Sequence, residues 1–248
     1  MKIINAFFMS LSTFCALPCP VKKWDEDARP LMILSLPFVG LWIGFLWYLL
    51  TEVLYRLQFP FMLSAALVTA FIYIISGHIH LDGYMDVADA VGSYRSIEER
   101  RRILKDAHCG SFAVISAVLL ILIMFASFAS SAAYENRIMI FIPFMSRAMS
   151  GIMVNRLKPM PQSQYAEESY RKNIKGSYTV ILVLMIILAG VISYLWLGIW
   201  AEVLIAEIIA HVLATLFAYR NLEGMNGDIS GFAICIAELI AVITMVII

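Results

Sequence analysis

Apolar residues gather into seven long runs, at about 31–55, 59–77, 111–133, 138–155, 178–199, 201–219 and 229–248, with short polar segments between them. Each run is roughly 17–24 residues, the length a helix needs to cross a ~30 Å hydrocarbon core at about 1.5 Å per residue. The fifth and sixth runs are parted only near Gly198 to Ala201, so six or eight crossings also satisfy the pattern. A shorter apolar stretch, Ile3 to Leu17, precedes them. It has only Lys2 before it and ends in Leu17-Pro18-Cys19-Pro20, with no small-x-small cleavage site. It is therefore read as a retained helix at the membrane interface rather than a secretory leader.

Composition carries this further. Hydrophobic residues make up 62% of the 248-residue chain, and the mean hydropathy is +0.85. Both lie outside the range of soluble domains, so the expected fold class is all-α: a polytopic helical bundle of about seven transmembrane helices plus the N-terminal interfacial helix. No fixed repeat or low-complexity tract divides residues 1–248, which are read as a single membrane-embedded unit. The formal net charge is zero, and no bulk field favours nucleic acid. Cys15, Cys19, Cys109 and Cys235 complete no zinc pattern and no disulfide framework, and are expected to be small buried side chains.

Charge gives the orientation. With seven crossings, Lys2, Lys22, Lys23, Arg29, Arg95, Arg100, Arg101, Arg102, Lys105, Arg156, Lys158, Arg171, Lys172, Lys175 and Arg220 fall on one side. Only Arg56 and Arg137 fall on the other, a ratio of fifteen to two, with Arg147 inside a run. The positive-inside rule places the fifteen in the cytoplasm, together with the loops at 78–110, 156–177 and 219–228. The lipid bilayer is the first expected partner, and soluble cytosolic substrates can reach those loops.

The candidate chemistry lies in His78-Ile-His80-Leu-Asp82-Gly-Tyr-Met-Asp86-Val-Ala-Asp89-Ala-Val-Gly92. Asp82, Asp86 and Asp89 are spaced i, i+4 and i+7, which at about 100° per helical residue puts them within roughly 60° of arc. His78 shares the face, and Leu81, Met85 and Ala88 are expected to be buried on the other. Carboxylates so close must shift their pKa values, pair with cations or bind a metal. Hard oxygen donors suit Mg²⁺ or Mn²⁺ over Zn²⁺.

Other segments can join them. Ser96 and Glu99 form a capping box for a helix running to about Asp106, whose Arg100, Arg101, Arg102 and Lys105 are candidate phosphate anchors. Lys105 and Asp106 lie nearest the following span. Arg147 sits inside an apolar run, so it must face the bundle interior and find a carboxylate or a bound phosphate. Glu52, Glu202, Glu207 and Glu238 are candidate partners, and Glu207 and His211 lie one turn apart. Gly224, Gly227 and Gly231 make a flexible turn in which Asp228 caps the last span or reaches a metal.

Taken together these motifs resemble the cobalamin synthase family, the adenosylcobinamide-GDP ribazoletransferases. His80-Leu-Asp-Gly-Tyr-Met-Asp-Val-Ala-Asp-Ala-Val-Gly92 resembles that family's HLDGxxDxxDGxG stretch. Lys105-Asp106 with Gly110 and Phe112 is similar to KDSRIGxxG, and Ser146-Arg147 to the intramembrane arginine of the fourth span. Gly224-Met-Asn-Gly-Asp228-Ile-Ser-Gly231 resembles G-x-T-G-D-x-x-G, and Phe7-to-Pro20 resembles the family's opening. Ala90, His108 and Asn226 depart from the pattern, where the family has Gly, often Arg, and Thr.

The resemblance implies a Mg²⁺-dependent transferase in the cytoplasmic (inner) membrane, with its site on the cytoplasmic face. Its substrates would be adenosylcobinamide-GDP and α-ribazole or α-ribazole 5′-phosphate, joined with release of GMP; a homo-oligomer is compatible. On that expectation Asp82, Asp86 and Asp89 hold Mg²⁺, and Lys105 or Arg147 neutralises phosphate oxygens. Asp89 or Asp228 accepts a proton and Asp106 joins the catalytic group, while His80, Arg102, Asn226 and Gly227 bind substrate. Three alternatives stay open. A CDP-alcohol phosphotransferase would need an Ala-Arg after Asp82-Gly83, an intramembrane prenyltransferase a fuller second motif than Asp228, and a divalent-cation transporter carboxylates along a path near the midplane.

Overall fold

The computed structural model describes residues 2–21, 24–130, 134–161, 163–166 and 176–248. Lys22, Lys23, Arg171, Lys172 and Lys175 of the basic side, residues 131–133 of the third run and residues 167–175 of the second loop lie outside the described residues. Ten helices of seven or more residues are described: α1 (Lys2–Phe14), α2 (Met32–Arg56), α3 (Phe61–Ile75), α4 (Ile79–Gly92), α5 (Ile97–Ile103), α6 (Ser111–Ser130), α7 (Ile142–Arg156), α8 (Gly176–Leu197), α9 (Glu202–Leu222) and α10 (Gly227–Ile247). Among the described residues there is no strand, only one isolated bridge between Pro159 and Met225. The chain is an all-α polytopic membrane protein.

Five segments are long and apolar enough to cross a membrane, or six if the bent pair α3 and α4 counts as one crossing. One of the five, Gly176–Leu222, is 47 residues long. It folds back at Gly198, whose φ of +62° is open to glycine. Asn155 at the end of α7 bonds Thr179 near the start of α8 at 2.5 Å, and Leu222 at the end of α9 belongs to the same hydrophobic cluster as Leu157. Both ends of the segment therefore lie beside the end of α7. The apolar runs 178–199 and 201–219 are its two arms.

Burial ranks the helices. The apolar window of α7 is 72% buried and that of α10 is 61%, against 33% for α6 and 22% for Gly176–Leu222. The centre is thus α7 and α10, and the rows of exposed Leu, Ile and Val on α6 and α8 are what a lipid-facing surface requires. Gly40 and Gly44 let α2 lie against the backbone before and within α7: a Cβ on Gly40 would stand 2.1 Å from the Pro143 carbonyl oxygen.

The second run departs from a straight span. The α3 helix has 15 residues, about 22 Å, and the chain then turns through 88° into α4. Gly77 and His78 make the turn with φ of +64° and +62°. Helix α4 leaves the span direction and crosses the starts of α6 and α10. Its buried side is His80, Gly83, Tyr84, Val87 and Ala90, not the expected Leu81, Met85 and Ala88, which are half-buried. The offset follows from two neighbours: Phe232 of α10 stacks on Tyr84 at 5.4 Å, and the Tyr84 hydroxyl donates to the Ser116 carbonyl of α6 at 3.3 Å.

The remaining loops lock this end of the bundle. Helix α5 begins as the capping box predicts, the Ser96 hydroxyl accepting from the Glu99 N–H at 3.4 Å, but it ends at Ile103 rather than Asp106. Arg100 bonds Asn221, and Arg101 donates to the Leu222 and Glu223 carbonyls at 2.9 and 2.7 Å. Those carbonyls are the unpaired acceptors at the end of α9, so both arginines are helix caps rather than phosphate anchors. Backbone bonds tie the second loop to the glycine turn, the Met160 N–H donating to the Met225 carbonyl at 2.9 Å and the Met225 N–H to the Lys158 carbonyl at 2.8 Å. Cys15, Cys19 and Cys235 are buried as expected, but Cys109 is exposed in the loop before α6.

Candidate active site

The site forms where α4 passes over the first turn of α10. Gly83 is the contact point: a Cβ there would stand 2.8 Å from the Asp228 Cα and 2.9 Å from its carbonyl oxygen. One turn on, a Cβ on Gly231 would stand 2.8 Å from the His80 carbonyl oxygen. Only glycine at both positions lets the two backbones approach so closely. Asp82 and Asp86 flank Gly83 in sequence, so the crossing brings them beside Asp228 although 146 residues separate Asp82 from it in the chain.

Electrostatics report the same proximity. Partial burial, and then the negative charges of Asp228, Asp82 and Asp89, push the Asp86 carboxyl up to about 7. The ion pairs formed among the described residues do not include these four aspartates. Asp89 differs from the others. Its Oδ1 accepts from the Ala113 N–H at 3.4 Å, in the first turn of α6, and a Cβ on Gly110 would stand 2.1 Å from that oxygen. One of its oxygens is thus committed to the start of α6.

A cavity of about 350 Å³ opens beside the crossing. Asp82, Asp228, Gly227 and His80 border it on one side and Ser150 of α7 on another. Its remaining wall comes from segments to which the sequence reading gave no site role, including Thr13 and Phe14 of α1, Trp24, Arg29 and Tyr165. The signal in the sequence was slight: a basic residue and a Trp beside a short amphipathic helix. His80 stacks on Phe14 at 5.9 Å. Burial holds its imidazole well below the usual range, hence neutral, and its Nε2 has no partner among the described residues.

Asn226, not Asp228, caps α10: its Oδ1 accepts from the Ile229 N–H at 3.0 Å. Its Nδ2 donates to Asp228 Oδ2 at 2.5 Å, which orients that carboxylate. Asn and Asp are both good caps, so the sequence could not choose between them. Gly227 has open space around it.

Other predicted site residues lie apart. Arg147 is fully buried and pairs with Glu238, and it also donates to the Ser146 hydroxyl at 3.0 Å and the Pro143 carbonyl at 3.3 Å. Glu238 is ten residues beyond Asp228 on α10, about 15 Å deeper along the axis. Arg147 is thus the interior ion pair that its depth required, and it does not border the cavity. Of the other carboxylates weighed for it, Glu52 pairs with Arg56 at 2.7 Å and Glu202 is exposed. Glu207 is fully buried with neither oxygen partnered among the described residues. Arg102 is exposed and paired with Glu99 at 2.8 Å. Asp106 accepts from the His108 N–H at 3.0 Å, which holds its carboxyl below the usual range in an exposed turn. Lys105 is exposed at the end of α5, and His78 is exposed at the bend.

The donor set is what a hard divalent cation takes: carboxylate oxygens, crowded enough to raise the Asp86 pKa. Among the described residues, no three His, Cys, Asp or Glu side chains already stand at the spacing of one ion. Asp82, Asp86 and the free oxygen of Asp89 are donors of the class that Mg²⁺ takes, and are the groups that would hold such an ion.

A family profile described as cobalamin-5-phosphate synthase matches residues 6–246. The chain is 38% identical over 250 residues to an adenosylcobinamide-GDP ribazoletransferase of Clostridium perfringens strain SM101, covering 99% of both chains. It is 32% identical to the protein of that name in Clostridium botulinum strain Alaska E43, covering 96% of each. It is 26% identical to that of Brevibacillus brevis, covering 98% of each. No solved structure matches.

Proposed function

The chain belongs to the cobalamin-5-phosphate synthase family, and from that premise we propose that this transferase is a Mg²⁺-dependent adenosylcobinamide-GDP ribazoletransferase acting where α4 crosses α10. The observation that carries the reading is the Gly83–Asp228 contact, which sets carboxylates from two distant segments around one cavity.

In the reaction a ribose hydroxyl of α-ribazole, or of its 5′-phosphate, attacks the phosphorus that joins cobinamide to GDP. The new P–O bond closes a phosphodiester, the P–O bond to GMP breaks, and GMP leaves with that electron pair. Asp228 takes the hydroxyl proton: it borders the cavity and Asn226 fixes its orientation. Asp82, Asp86 and Asp89 would hold Mg²⁺, which would supply charge neutralisation for the diphosphate of the donor. His80 and Gly227 shape the cavity wall that the acceptor meets. Arg147 and Asp106 drop out of the catalytic set and Arg102 out of the substrate-binding set, because their partners hold them elsewhere. The face that carries the site is the cytoplasmic one, on the fifteen-to-two division of basic residues. The CDP-alcohol phosphotransferase, prenyltransferase and transporter alternatives have no observation in their favour.

The test is GMP release from adenosylcobinamide-GDP with α-ribazole, with Mg²⁺ titrated. Asp82→Asn and Asp86→Asn should need more Mg²⁺ or lose turnover, and Asp228→Asn should lower kcat at saturating Mg²⁺. Wild-type behaviour in all three variants would refute the reading.

A further inference from the structure

The cavity beside the acidic cluster has a second polar feature, on the wall formed by α7. Ser150 lies there, 2% exposed, and its Oγ is 2.9 Å from Nε2 of His211 on α9. On the far side of that ring, Nδ1 is 3.3 Å from the Thr215 hydroxyl. His211 and Thr215 are both fully buried. The Ser150–His211–Thr215 relay has no part in the chemistry assigned to the aspartates.

Counting hydrogens sets its direction. Thr215 has one hydrogen to donate and, among the described residues, its hydroxyl meets only His211 Nδ1. If Nδ1 carried the ring proton, the threonine hydrogen would be left without an acceptor in a fully buried place, which is costly. With Thr215 donating to Nδ1, the neutral ring carries its proton on Nε2 and donates it to Ser150 Oγ. Of the side-chain groups of Thr215, His211 and Ser150 in this relay, every hydrogen is then placed except that of Ser150. Its hydroxyl meets no other partner among the described residues, and the cavity is where an acceptor can stand. Successive bonds in one direction polarise one another and strengthen that last donor.

Size indicates what occupies the cavity. At about 350 Å³ it lies near the lower end of small-molecule sites, which run from roughly 300 to 1,000 Å³. A nucleoside suits that space, whereas a corrin ring carrying GDP is several times larger and must stay mostly outside. The cavity walls are largely apolar, including Ile33, Leu36, Val154 and Ile234, as an aromatic base requires.

We propose that Ser150 is the hydrogen-bond donor that receives an oxygen of the acceptor nucleoside, with His211 and Thr215 as positioning residues that fix its direction. The inference rests on the ribazoletransferase reading and adds where the acceptor is held. It is tested with the full-length protein in detergent, with Mg²⁺ and adenosylcobinamide-GDP saturating and α-ribazole varied. Ser150→Ala should raise KM for α-ribazole about 2- to 10-fold, the size of one neutral hydrogen bond. It should leave KM for adenosylcobinamide-GDP unmoved and kcat nearly so. Ser150→Cys, which keeps the size but not the strong donor, should behave like Ser150→Ala. Thr215→Val preserves shape and frees the tautomer, so it should raise the same KM, and should add nothing in the Ser150→Ala background. That variant carries the test by itself if substitutions at Ser150 do not fold. Wild-type KM in these variants, or additive effects of Thr215→Val and Ser150→Ala, would overturn the assignment while leaving the reaction intact. Absence of turnover in the wild type would instead refute the reaction, and the assignment with it.

Discussion

Gly83→Ala is the sharpest perturbation the fold offers, because one methyl group meets backbone rather than a yielding side chain. The added Cβ would lie 2.8 Å from the Asp228 Cα and 2.9 Å from its carbonyl oxygen, against 3.4 Å or more for ordinary contact. Neither atom can rotate away, so α4 must lift from α10 by about half an ångström or more. Gly231, whose own added Cβ would be 3.4 Å from the Gly83 Cα, leaves no slack one turn further on. Overpacking of this kind costs about 1–3 kcal/mol. The effect on turnover should be larger than on stability. The lift separates Asp82 and Asp86 from Asp228, and a displacement of about 1 Å at a reacting centre costs on the order of 10²-fold, so a loss of at least tenfold in GMP release is expected. Two assays check it: thermal unfolding in detergent, and GMP release at saturating Mg²⁺. Gly190→Ala is the control, since nothing lies within 4 Å of its added Cβ and α8 faces lipid. It should leave both readouts unchanged or raise stability slightly. A Gly83→Ala protein with full turnover and unaltered stability would refute the claim that this crossing holds the site together.

Two further outcomes follow from the electrostatics. Arg147→Met should destabilise the protein by about 3–5 kcal/mol by stranding Glu238, and Arg147→Met with Glu238→Leu should recover most of it, both read from unfolding midpoints in detergent. Asp86 should make the metal-free protein less stable as pH rises: its folded pKa of about 7 exceeds the ordinary value of 3.8, so the folded state binds more protons between the two. That contribution is complete below about pH 4 and lost as pH passes 7, and excess Mg²⁺ should flatten the slope; a midpoint that rises with pH in chelator would contradict the crowding of the four carboxylates.

Much of this architecture was legible before any coordinates. The apolar runs are local, and each became a helix within a few residues of its expected place. The spacing of Asp82, Asp86 and Asp89 is a property of one helix, and Ser96 with Glu99 of another. The need of Arg147 for a partner follows from its depth alone. The bend was not legible, because Ser76-Gly77-His78 reads equally well as the end of a span running out into a loop. Nor was Glu238 as the partner of Arg147, since 91 residues separate them and four carboxylates were available. Arg100 and Arg101 misled for a related reason: the carbonyls they cap belong to α9, more than a hundred residues away. The α1 side of the cavity was hidden because an amphipathic helix reads as membrane-surface whether or not it also borders a site.

The bend explains how the acidic cluster comes to lie against the rest of the bundle. Had α3 continued straight for the length of α4, a core of about 30 Å would have ended near Leu81, and Asp82, Asp86 and Asp89 would have run on into water away from α10. The 88° turn at Gly77 and His78 lays the carboxylates across the end of the bundle instead. Two helices begin beneath them there, α6 at Ser111 and α10 at Gly227. The N-terminus of each carries roughly half a positive charge, worth about 0.3–1 kcal/mol to a nearby anion. Asp89 takes the first through Ala113, and Asp228 sits in the first turn of the second. Two partial charges cannot balance four carboxylates, so a protonation equilibrium centred on Asp86 remains, ready to be displaced by a cation. The same glycines that permit the crossing, Gly83, Gly231 and Gly110, therefore set the charge density of the site as well as its shape.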